Sequence, residues 1–115
     1  MQYMLLIYSD SAADAAFQAM PQETRYAPWI AYTTALREAG VMVGGNPLAP
    51  AATATTMRLR DGHRQVQDGP VAASKEQLGG YYLIEAADLD AALEWAARCP
   101  AAAYGSVEVR PIGAM

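Results

Sequence analysis

Few side chains in this 115-residue sequence can do chemistry, and they are scattered along it. Asp68 stands before Gly69-Pro70. An aspartate oxygen there can accept from backbone N–H groups one or two residues on, so its first reading is the cap of a Gly-Pro corner. Ser74 and Gln77 have the S-x-x-Q spacing of a capping box, which predicts a single helical turn ended by Gly79-Gly80. Trp29 and Tyr32 are three apart and share a face if their segment is helical. A tyrosine there can offer its hydroxyl to a ligand oxygen, or pack in the core with the hydroxyl at the rim. Arg58 and Arg60 alternate with Met57 and Leu59 and so point to one face of a strand, free to meet a carboxylate or to stay solvated. His63 follows Asp61-Gly62 and reads as a loop histidine; Lys75 and Glu76 read as solvated charges. One histidine, one cysteine and dispersed acids make no metal site, and neither Gly-Gly pair has a phosphate-binding motif around it. No cofactor is expected.

The bulk properties narrow the classes. The length suits one domain over residues 1–115, able to bury roughly two-thirds of its unfolded surface. Hydrophobic residues make up 53%, but 25 residues are alanine, so large apolar side chains are fewer than that figure suggests. The net charge is -4 and the eight Lys and Arg are not clustered, which argues against a nucleic-acid partner. Cys99 is alone, and "MQYMLLIYSD" lacks the basic and small-residue flanks of a signal peptide and the length of a membrane span. The expected location is the cytoplasm, with no membrane partner.

The elements follow from periodicity and punctuation. Tyr3 to Ser9 reads as a buried strand, and residues 11–20 as a short helix capped by Asp10 or Ser11. A longer helix runs from about Glu23 to Ala39, with Trp29 or Ile30, Thr33, Leu36 and Ala39 inward; Pro28 fits only near its first turn. Residues 41–45 and 53–60 read as strands, and Asp61-Gly62 as a two-residue hairpin turn leading into a polar return strand. Residues 79–86 form the clearest strand. After Asp88 a helix places Leu89, Ala92, Leu93 and Ala96 on one stripe, and residues 105–112 close the chain as a strand. The order β-α-β-β-β-β-α-β predicts an α+β fold. It is ferredoxin-like with an inserted β-hairpin, an antiparallel sheet and two main helices. "YMLLIYS" and "YYLI" are apolar on both faces, while two helices can cover only one. The other face calls for a second copy, so a homodimer is expected.

The run "DGPVAASKEQLGGYYLIEAADLDAALEWAARCP", the terminal "GSVEVRPI" and, upstream, "AYTTALREAGVMVGGNPLAP" resemble the YCII-related family in its DGPF-domain branch. Val71 stands where the branch has phenylalanine and Ala73 where an acid is common. The resemblance implies a dimeric α+β barrel. Most members are uncharacterised. One is a dehalogenase acting on a chlorinated lactone, similar barrels isomerise lactones or oxidise quinone-like rings, and DGPF members are often encoded beside alternative sigma factors. The histidine suspected as catalytic on the family's first helix has no counterpart among Tyr26, Trp29 and Tyr32 here. Asp68 carries over as the general base, provided that partial burial raises its pKa. Tyr32, Trp29 and Arg58 are then the substrate-binding candidates. Two functions are expected in turn: a cofactor-free isomerase, lyase or dehalogenase acting on a small lactone-like or acidic ring, or a non-catalytic dimeric ligand-binding or regulatory module.

Overall fold

The computed structural model describes residues 1–114. Its strands are β1 (Gln2–Asp10), β2 (Met42–Pro47), β3 (Thr55–Arg60), β4 (His63–Asp68), β5 (Glu76–Glu85) and β6 (Ser106–Pro111). Its helices are α1 (Ser11–Ala19), α2 (Gln22–Glu38) and α3 (Leu89–Arg98), with short 3-10 turns at Ala51–Thr53 and Pro100–Ala103. Four strands form one antiparallel sheet in the order β2-β5-β1-β6, and β3 and β4 form a separate hairpin. With the hairpin set aside, this is the ferredoxin-like strand order, so the chain has the fold class its sequence predicts.

Alternation along β1 decides which face is buried. Tyr3, Leu5 and Ile7 are buried, and register places them opposite Ile84, Tyr82 and Gly80 of β5. Tyr32 and Leu36 of α2, Ala92 and Ala96 of α3, Cys99 and Ala101 close over this face. Leu5, Leu36 and Ile84 are fully buried, each contributing roughly 1.5–3 kcal/mol of transfer free energy. Gly80 is set where β2 and β5 come close: a Cβ there would lie 3.1 Å from the Asn46 carbonyl oxygen. On the opposite face Met4, Leu6, Tyr8, Tyr81 and Leu83 remain partly exposed.

Local signals explain the element ends, and several differ from the sequence reading. Asp10 and Asp88 cap α1 and α3 by accepting from the N–H groups of Ala13 (2.8 Å) and Ala91 (2.9 Å). Asp61 (φ 51°) and Gly62 (φ 77°) make the predicted two-residue turn. Pro28 lies inside α2, not in its first turn. Of the expected α2 stripe, Leu36 is buried and Trp29 packs against the core, but Tyr32 joins them, while Ile30 is 65% exposed and Ala39 is exposed. On α3 the alanines face the sheet, and Leu89 and Leu93 stay out, because small residues let the helix approach closely. No helical turn forms at residues 74–77. Gln77 donates to the carbonyls of Ser74 (2.6 Å) and Ala72 (3.1 Å), and β5 already starts at Glu76 by pairing with Asp10 of β1. Sheet pairing outcompetes a one-turn helix, which gains too few bonds to repay its nucleation.

Candidate functional site

A cleft of about 760 Å³ opens between α1 and α2 on one side and β5 with the Asn46–Ala51 segment on the other. That volume falls within the range of small-molecule sites, roughly 300–1,000 Å³. It exists because α2 presents two adjoining faces. Tyr32 and Leu36 seal the core, while Tyr26, Trp29, Ile30, Thr33 and Arg37 recur at three- and four-residue spacing on the cleft side.

The outer wall is aromatic and locked. Phe17 of α1 meets Tyr26 of α2 edge to face, with centroids 5.8 Å apart. The Arg25 guanidinium lies 5.6 Å from each ring and donates to the carbonyls of Gln18 (3.1 Å) and Met20 (3.0 Å). Together these contacts tie α1 to α2 and hold the wall in place.

The inner wall is polar. The hydroxyls of Thr33 and Tyr82 share a hydrogen bond of 2.7 Å. Burial pushes the Tyr82 phenol above its ordinary pKa, and the Thr33 bond and the Arg37 charge act against the rise. Tyr82 therefore keeps its proton at neutral pH and is available as a donor. Ser9 donates to the Asp14 carboxylate (2.6 Å), and at the β2–β5 edge, toward the open face of the sheet, Asn46 donates to the Tyr81 hydroxyl (2.9 Å). Burial also raises the pKa of Tyr104, at another part of the rim. Asp14 is the one carboxylate lining this cleft among the described residues.

The residues singled out from sequence are not brought together here. Trp29 lines the cleft. Tyr32 is buried behind it, donates to the Trp95 carbonyl (2.7 Å) and stacks edge to face on Tyr82 at 5.3 Å. Burial, with smaller contributions from Cys99 and Tyr82, lifts the Tyr32 pKa well beyond the phenol range. Its hydroxyl is a core hydrogen bond and is not offered to a ligand. Arg58 lies on the β3–β4 hairpin and donates to Gln67 (2.9 Å). Asp68 ends β4 in an exposed position and is not part of the cleft wall of its own chain. It does not hold the Gly-Pro corner either. There, Gly69 N–H donates to Ala54 (2.7 Å), Thr56 donates to Gly69 (2.9 Å), and Gln67 donates to Pro70 (3.3 Å). Thr33, Arg37 and Tyr82 were not read as site residues in the sequence; Thr33 and Tyr82 were read only as positions in a helix and a strand. The spacing of Trp29, Thr33 and Arg37 along α2 is the signal that could have found them. Among the described residues no group of three His, Cys, Asp or Glu side chains could hold a metal, and no helix is long and apolar enough to cross a membrane.

Fold and cleft together define a ferredoxin-like α+β protein with a recess suited to a small molecule on the helical side of its sheet. The chain belongs to the YCII-related family, whose domain matches residues 1–115. It is also 38% identical over 114 residues to an uncharacterised protein of Rhizobium meliloti (strain 1021), covering 97% of this chain and 92% of that one.

Proposed function

We propose that this chain binds a compact ring compound carrying an acidic or carbonyl oxygen in the cleft between α1, α2 and β5. The observation that carries the reading is the division of the walls. Phe17, Tyr26 and Trp29 supply an aromatic lining, and Thr33, Tyr82 and Arg37 supply two hydroxyls and a cation for the oxygen end. A ring acid satisfies both halves at once.

A second reading, a cofactor-free enzyme, is favoured by Asp14, the acid on the cleft wall. A carboxylate facing a ring whose carbonyl oxygen accepts from Tyr82 is equipped to remove a proton beside that carbonyl. In this reading Asp14, not Asp68, is the base. We place the chain in the DGPF branch on its Asp68-Gly69-Pro70 run and assign it to the cytoplasm. We also propose that two copies join their open sheet faces around Met4, Leu6 and Leu83 into a dimeric α+β barrel.

Calorimetric titration with small ring acids and lactones tests the binding reading. Ring acids should bind the intact protein and bind Arg37→Met at least about tenfold more weakly, as expected for a lost charge-assisted hydrogen bond. Equal binding to both proteins would remove Arg37 from the site. Turnover of a lactone that vanishes in Asp14→Asn with binding retained would establish the enzyme reading.

A further inference from the structure

The two charged side chains that line the cleft, Asp14 and Arg37, stand at opposite ends of it. At one end Asp14 accepts from Ser9 (2.6 Å), and the Tyr104 phenol lies beside the Trp29 side chain and within range of the Asp14 charge. At the other end Arg37 stands within range of Tyr82, whose hydroxyl is 2.7 Å from that of Thr33. Both walls give the same separation. Along α2, Arg37 comes eight residues after Trp29, about 12 Å at the helical rise of about 1.5 Å per residue. Along β1, Ser9 pairs with Gln77 and Leu5 with Tyr82, a step of four residues or about 13 Å. Neither charge is answered from within the chain. The ion pairs among the described residues are Met1 with Glu85 and Arg110 with Glu108, so Asp14 and Arg37 have no oppositely charged partner.

We propose that the ring acid bound in this cleft also carries an amine, with its carboxylate at Arg37 and Tyr82 and its ammonium at Asp14. The inference rests on the binding reading above and narrows its ligand class. A ring with a carboxylate alone satisfies Arg37 but leaves Asp14 unanswered and adds a second negative charge to one recess. A ring that bears both groups pairs each end and brings no net charge. The Asp14 end also has the right kind of atoms. An ammonium has three donors and no lone pair, and it finds there a carboxylate and the hydroxyl oxygens of Ser9 and Tyr104. Between the two ends the wall is Trp29 and Ile30, which suits the ring itself.

Calorimetric titration tests it with three ligands: benzoate, para-aminomethylbenzoate, and para-hydroxymethylbenzoate, which keeps the shape of the second without its charge. The proteins are the parent, Asp14→Asn and Arg37→Met; both side chains are exposed, so neither substitution touches the core. On the parent the aminomethyl compound should bind about fivefold more tightly than either of the others, the upper end for an ion pair open to water. Asp14→Asn should bring that preference down to about one, whereas Arg37→Met should weaken all three ligands and leave the preference in place. Benzoate that binds the parent as tightly as the aminomethyl compound would overturn this inference and leave the binding reading standing. So would a hydroxymethyl compound that binds as tightly as the aminomethyl one, or a preference that survives in Asp14→Asn. A parent that binds none of the three would overturn the binding reading and this inference with it.

Discussion

The rings of Tyr32 on α2 and Tyr82 on β5 stand 5.3 Å apart, and their hydroxyls have opposite fates. The Tyr32 hydroxyl is spent on the Trp95 carbonyl, so Tyr32→Phe leaves that carbonyl unpaired. We expect a loss of about 1–3 kcal/mol in chemical denaturation, with ring-acid binding kept. Burial holds both phenols protonated beyond the pH at which the unfolded chain ionises, near 10. Above that pH the unfolded state binds fewer protons, so stability should fall as pH rises past about 10 and remain unaffected by these groups below it. Denaturation midpoints measured from pH 8 to 11 check the sign; a rising midpoint would contradict it. The sequence could place Trp29 and Tyr32 on one helix but not divide them between cleft and core. That division depends on Trp95, 63 positions away, supplying an acceptor. The Gly-Pro corner was legible, but the capping role read for Asp68 was not found, because Asp68 stays in β4 and Thr56 and Gln67 take over the corner.

Elements were more legible than their ends. Caps at Asp10 and Asp88 and the Asp61-Gly62 turn are local, and local chemistry was enough to find them. The start of β5 was hidden, because Ser74 and Gln77 form hydrogen bonds that imitate a helix start while the backbone pairs with β1. Pro28 inside α2 removes one helical donor in a segment whose other face is held by Tyr32 and Leu36. At Gly80 a single methyl would meet the backbone of β2. With the Asn46 oxygen 3.1 Å from its Cβ, Gly80→Ala must push β2 from β5, and we expect about 1–3 kcal/mol of destabilisation. A thermal midpoint unchanged from the parent would show that the strands move apart freely. In the core, Leu5→Ala should cost about 2–5 kcal/mol.

At the scale of the molecule, two apolar faces on one sheet could be read directly from the alternation of β1 and β5, since period two needs no knowledge of the partner. The cleft could not be read this way. It arises where α1, α2, β5 and the Asn46–Ala51 segment fail to close, and that depends on packing among distant segments. If the open face joins two copies, Leu6→Lys should yield a folded chain of about half the parent's mass by light scattering, the parent being near twice 12.3 kDa. An unchanged mass would move the interface elsewhere. The central claim is a small-molecule cleft with a ring wall and an oxygen end, and a thermal-shift titration of the intact protein with benzoate, run beside Arg37→Met and Asp68→Asn, tests it most directly. The account predicts a midpoint that rises with benzoate for the parent and for Asp68→Asn, and that needs at least about tenfold more benzoate for the same rise in Arg37→Met. A rise of equal size in Arg37→Met, or a rise abolished by Asp68→Asn alone, would contradict it.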